Sequence, residues 1–144
     1  MPENESWDYT LRIPNDPRAV TVCRRTLRLI LTVHGLIGLT DSAELLAAEL
    51  ISNAVRHTEG SAALRVRQSQ EGVVWIGAWD TDPQPPPAAL PLDAVGELEG
   101  GRGLGLVRAC ADSWGWQPSA WFVERGKFVW CELGFTASPA LKPV

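Results

Sequence analysis

Apolar and polar positions alternate along this chain with two different periods, and the switches between them outline its elements. Residues 7–13 (WDYTLRI) alternate weakly, as an edge or exchanged strand would. Asp16 and Pro17 read as an N-cap followed by proline at the first helical position. Val20, Cys23, Leu27, Ile30 and Leu31 then recur at helical spacing until Gly35, a natural stop. Asp41, with Glu44 three residues on, predicts a capping box for a second helix that reaches about Thr58, where Glu59 and Gly60 break it. In that helix Leu45, Leu46, Ala48, Ile51 and Val55 supply the apolar faces.

The period then shortens to two. Residues 62–69 place Leu64 and Val66 on one face and Arg65 and Arg67 on the other, and 73–79 are almost continuously apolar, as in a buried strand. Glu71 and Gly72 form the turn between them. Asp80 closes the second strand. Residues 81–101 contain Pro83, Pro85, Pro86, Pro87 and Pro91, which exclude a regular element over much of the stretch and predict a binding loop or lid. A short helix over 103–111 and strands over 113–117 and 127–133 follow, with Arg125 and Gly126 turning into the last. The order β-α-α-β-β-loop-α-β-β predicts an α+β fold, a two-layer sandwich with helices on one face of a mixed, mostly antiparallel sheet.

Composition narrows the classes. The 144 residues fit one domain, 1–144, with no internal repeat or linker. A formal charge of −4 favours neither nucleic acid nor an anionic membrane. No apolar run has the length of a spanning helix, and the polar start is not a signal peptide, so the expected compartment is the cytoplasm. The three cysteines, Cys23, Cys110 and Cys131, form no CxxC pair, which argues against a zinc site or a disulfide framework. Of the seven tryptophans, Trp114, Trp116, Trp121 and Trp130 crowd into the last third, where packing is the expected role.

Candidate chemistry lies at three places. Glu49, Asn53 and His57 share one helix face at i, i+4 and i+8. Asn53 can offer a carbonyl oxygen to Mg²⁺, and Glu49 can accept a proton from an attacking hydroxyl or water; a solvated helix face has the same spacing. Asp80, at a strand end beside a loop, can accept a hydrogen bond from an exocyclic amine, or simply serve the turn Asp-Thr-Asp-Pro. The glycine-rich segment GGRGLGL (100–106) lets backbone N–H groups approach phosphate at a helix start, although tight packing also uses such turns. It is neither a GxxxxGK[ST] loop nor a strand-following GxGxxG.

Taken together, ELISNAVRH, an Asp closing a buried strand, GGRGLGL and GKFVWCEL (126–133) resemble the GHKL, or Bergerat-fold, ATPase superfamily. Within it the chain is similar to the small bacterial anti-sigma-factor serine kinases of the RsbW/SpoIIAB type, especially the short actinobacterial regulators. The resemblance runs from about Pro17 to Leu133. It implies ATP and Mg²⁺ as cofactors, Glu49 as general base, Asn53 as Mg²⁺ ligand, Asp80 as the adenine-binding carboxylate, and Gly101, Arg102, Gly103, Leu104 and Gly105 as the phosphate-side glycine box. Residues 81–100 would be the ATP lid. The implied partners are a sigma factor and a STAS-domain anti-anti-sigma factor, and the implied assembly is a homodimer in which residues 1–14 could make the contact.

The sequence departs from the family pattern twice. The first glycine box, usually DxGxG, reads Asp80-Thr81-Asp82-Pro83-Gln84, and Phe128 follows the Gly-Lys where relatives carry a Thr that helps hold the nucleotide. These departures motivate an alternative, a degenerate Bergerat-fold module that grips a regulator without phosphoryl transfer. A detached histidine-kinase catalytic domain shares the fold, but the chain has no helical hairpin presenting a phospho-accepting His, and His34 lies at a helix end.

Overall fold

The structure, a computed structural model, describes residues 6–70, 72–86, 113–121 and 124–134. Strand β1 (Trp7–Ile13) leads into helix α1 (Ala19–Val33), a single 3₁₀ turn (Ile37–Leu39) and helix α2 (Thr40–His57). Strands β2 (Ala62–Gln70), β3 (Val73–Asp80), β4 (Ser113–Trp121) and β5 (Glu124–Gly134) complete a five-stranded sheet of order β1-β2-β3-β5-β4. The expected helix over 103–111 and most of the expected lid lie outside the described residues.

All four strand pairings are antiparallel, so the sheet is not mixed. The reason is the two-helix excursion. One helix between β1 and β2 would permit a parallel crossover; two adjacent helices return the chain to the end of β1 it left. Asn15 marks that return: its side-chain amide donates to the carbonyls of Val55 (3.1 Å), Thr58 (2.8 Å) and Gly60 (3.1 Å) at the end of α2.

The helix ends follow from local chemistry. The Asp16 carboxylate accepts the backbone N–H of Arg18 at 2.9 Å within the turn that leads into α1, but the helix itself begins at Ala19, with Arg18 rather than Asp16 at its N-cap and no side-chain cap. Gly35 adopts φ +77°, and the bonds from Leu36 N–H to Leu31 O (2.8 Å) and from Gly35 N–H to Thr32 O (3.2 Å) form a Schellman closure. The expected capping box at Asp41 and Glu44 does not form. Helix α2 starts at Thr40 without a side-chain cap, and Glu44 instead pairs with Arg24 and Arg28 of α1. Two guanidiniums across the helix pair outcompete one backbone N–H for this carboxylate.

The core lies between the helices and one sheet face. It is built from Cys23, Leu27 and Leu31 of α1, Leu46, Leu50 and Ile51 of α2, and Leu64, Val66, Val74, Ile76, Cys131 and Leu133 of the sheet. Of the apolar positions expected to face it from α2, Leu45 is instead exposed. Trp114 and Trp116 pack at its edge, as expected of them. The opposite sheet face carries a second cluster of Ala63, Trp75, Trp79 and Phe128, with Trp130 against it and the Arg67 guanidinium 4.6 Å from the Trp75 ring centre.

Strand β5 begins earlier than expected, and Arg125 and Gly126 lie within it rather than in a turn. Gly126 is needed for close approach: a Cβ there would stand 1.9 Å from the Asp80 carbonyl oxygen. At the other sheet edge β1 pairs with β2 of its own chain from Trp7↔Gln68 to Ile13↔Ala62, and Asp8 and Arg65 join in a two-bond ion pair across that ladder.

Candidate nucleotide site

The last turns of α2 and the facing ends of β3 and β5 enclose a cavity of about 260 Å³. Leu50, Asn53, Ala54 and His57 line it from the helix, Ala78 and Asp80 from β3, Asp82, Pro85 and Pro86 from the loop, and Lys127 and Val129 from β5. Strand alternation explains the β-side lining. Val129, Cys131 and Leu133 face the helices, so Lys127, two residues earlier, faces the same way. Phe128 points to the opposite face. It is therefore not among the residues that line this cavity, and the residues that line it from β5 are Lys127 and Val129.

Asp80 and Lys127 are opposite each other in the β3–β5 ladder, and both are buried. The Lys127 ammonium donates to Asp80 Oδ1 at 3.0 Å and to the Asp82 carbonyl at 2.8 Å. The same Oδ1 accepts the Asp82 N–H at 2.9 Å. Burial pushes the Asp80 carboxyl above the usual Asp value, with Lys127 and the Asp82 N–H pulling the other way. The cation offsets part of the desolvation cost, and removing either partner alone would strand a buried charge.

The missing glycines of the first box have a local replacement. Asp82 Oδ1 accepts the Gln84 N–H at 2.9 Å, so Asp80 and Asp82 each close a turn over the residue two positions on. The Asp82 carboxylate is thereby engaged by its own loop.

Asn53 is 7 % exposed. Its amide nitrogen donates to the Glu49 carbonyl at 2.8 Å, whereas Oδ1 is buried with no hydrogen-bond partner among the described residues. An unpaired buried acceptor costs stability, and such groups in folded proteins call for an explanation. A carbonyl oxygen in a phosphate-sized cavity fits Mg²⁺, a hard cation commonly held by few protein oxygens together with substrate phosphates and water. No cluster of three or more His, Cys, Asp or Glu able to hold a metal occurs among the described residues. His57 also lines the cavity. Desolvation, with the Arg56 and Lys127 charges, pulls its pKa below the usual value.

The structure thus gathers Asn53, His57 and Asp80 around one cavity. Glu49 lies one helical turn from Asn53, partly buried, and is not among the residues lining it. Gly101, Arg102, Gly103, Leu104 and Gly105 lie outside the described residues. Lys127 is the cavity-lining residue that sequence reasoning missed. Its signal was present as a charged residue in phase with the apolar positions Val129, Cys131 and Leu133.

An α+β sandwich with a cavity between its second helix and the end of a central strand closed by Asp defines the class of nucleotide-binding domains to which the sequence motifs pointed. Consistent with it, the chain matches the family model of the histidine kinase-like ATPase domain over residues 13–125 and belongs to that family, within the GHKL superfamily. No curated protein matches the chain. Among the described residues no helix is long and apolar enough to cross a membrane.

Proposed function

We propose that this chain is an ATP-dependent protein serine kinase of the anti-sigma-factor type, working by partner switching. In this reading it either holds a sigma factor or phosphorylates a serine on a small STAS-domain anti-anti-sigma protein, which frees the sigma factor. The observation that carries the reading is Asn53: a nearly buried carboxamide with an unpaired oxygen, in a cavity whose far wall is Asp80.

Each residue then has a task. Asp80 accepts the exocyclic amine of adenine through its second oxygen. Asn53 Oδ1 would hold Mg²⁺, which supplies charge neutralisation at the phosphates when bound. Glu49 takes the proton from the attacking serine hydroxyl, and catalysis rests mainly on positioning and charge stabilisation. The glycine box 101–105 supplies backbone N–H groups to phosphate.

A second reading, a binding module without phosphoryl transfer, is favoured by one observation, that Glu49 does not line the cavity. Transfer of labelled γ-phosphate to a STAS-domain protein, followed beside Glu49→Ala and Asn53→Ala variants, separates the two. Transfer that both variants abolish supports the kinase. Mg·ATP binding without transfer to any STAS-domain protein offered supports the module, and transfer that survives Glu49→Ala removes Glu49 as the base.

A further inference from the structure

Lys127 alters what the base end of the cavity can recognise. A lone carboxylate there offers acceptors only. With a base seated as adenine's 6-amino group requires, it suits adenine, whereas the 6-oxo group of guanine would turn its lone pairs toward those of the carboxylate. In this chain the carboxylate has a donor beside it. Asp80 Oδ1 is saturated by the Asp82 N–H and Lys127, and neither bond uses Oδ2. Two of the three ammonium hydrogens of Lys127 are engaged, by Asp80 Oδ1 and the Asp82 carbonyl. Among the described residues, the groups left for a ligand are therefore one acceptor, Oδ2, and one cationic N–H, on adjacent strands of the cavity wall.

Both purines present such a pair on the Watson–Crick edge, in opposite order. Adenine gives its 6-amino hydrogen to the carboxylate and takes the ammonium hydrogen at N1. Guanine takes the ammonium hydrogen at O6 and gives N1–H to the carboxylate. Exchanging one for the other requires the base to shift by about one atom along its edge, within a cavity that Leu50 and Ala54 line from the helix and Val129 from β5. The ammonium bond is charge-assisted with either base, but the guanine O6 carbonyl, a more polar acceptor with two lone pairs, loses more than adenine N1 when it is left buried without a donor.

We propose that Lys127 is a specificity-determining residue that opens this site to 6-oxopurine nucleotides, so that GTP binds alongside ATP. The inference rests on the nucleotide-site reading above. The test is calorimetric titration of Mg·ATP, Mg·GTP and Mg·ITP into the full chain, wild type and Lys127→Met, with far-UV circular dichroism as the folding control. GTP within about tenfold of ATP is expected for the wild type, with ITP close behind because it shares O6 and N1–H. In Lys127→Met, GTP and ITP should weaken relative to ATP by roughly tenfold or more, the discrimination typical of one well-placed pair on a base edge.

Wild-type protein that binds ATP but takes GTP more than about a hundredfold more weakly overturns this inference and leaves the nucleotide site standing. Equal losses for ATP and GTP in Lys127→Met also overturn it, since Lys127 would then only neutralise Asp80. Folded wild-type protein that binds none of the three overturns the nucleotide-site reading together with this one. Should Lys127→Met fail to fold, the wild-type ATP-to-GTP ratio decides alone.

Discussion

Replacing Asn53 with alanine should harm function while leaving the ligand-free fold as stable as before, or more so. The side chain makes one hydrogen bond, from its amide to the Glu49 carbonyl, an i−4 helix oxygen within reach of the Asn53 backbone N–H as well. Losing that bond costs about 1 kcal/mol. Against this, Oδ1 is buried without a partner, a desolvation penalty of about 1–3 kcal/mol that alanine removes. Alanine also adds up to about 0.7 kcal/mol of helix propensity over asparagine. Because the residue lines an open cavity, truncation creates no sealed void. The balance is a gain of roughly 0–3 kcal/mol in the absence of nucleotide. Urea unfolding followed by tryptophan fluorescence reads this as an unchanged or raised midpoint at constant slope. With saturating Mg·ATP the order should invert. Ligand at about a hundred times its Kd stabilises wild type by roughly 2.7 kcal/mol, and the variant should gain little of this. A loss of more than about 1 kcal/mol without nucleotide, or an undiminished gain with it, would refute the reasoning and make Asn53 a packing residue.

Further outcomes follow from the same structure. Gly126→Ala should lower stability by about 3 kcal/mol or more, since its Cβ meets the Asp80 backbone and the Trp79 ring with no rotamer to escape into; Gly35→Ala, strained only by its φ of +77° and with open space around it, should cost about 1 kcal/mol by the same urea assay. His57, its pKa lowered in the folded state, contributes stability that is complete above the unfolded value of 6.5 and is lost as pH falls through the folded value, so wild type should destabilise more steeply than His57→Gln on acidification below pH 6.5. Cys23 and Cys131, buried and with thiols pushed up to about 12, should escape alkylation at pH 8 in the native protein and react only on unfolding, as peptide mass spectrometry would show. Leu27→Ala, at a fully buried position, should cost about 2–5 kcal/mol in the urea assay, and a loss under 1 kcal/mol would mean that α1 is not seated on the core as described.

The elements that rest on local periodicity were legible in the sequence. The face of α1 with Cys23, Leu27, Ile30 and Leu31 and the apolar run of β3 could be read from spacing alone, because burial there repeats every turn or every second residue. The features that depend on distant neighbours were not. Glu44 reads as a capping residue until Arg24 and Arg28 are placed beside it. Gly126 reads as a turn until the Asp80 carbonyl is found where its side chain would be. Asn53 and Asp80, picked out by type and position, do line one cavity. Lys127 was not picked out, because its role exists only through the β3–β5 register that sets it across from Asp80.

The way β1 is held has a consequence for the order in which the molecule assembles. This strand is synthesised well before its ladder partner β2, which follows only after both helices, and the Asn15 amide that fastens its exit needs carbonyls from the end of α2 and beyond. The helix pair and the β2–β3 hairpin can form from near neighbours, whereas β1 must close a loop around the whole helical layer, which makes its docking a late event. Until then β2 presents an unpaired edge with Leu64 and Val66 beside it, a surface open to a strand from another chain. Until α2 delivers its end to Asn15, the edge of β2 that β1 is to occupy stays open, and quick closure of that long loop is what keeps the pairing within one chain.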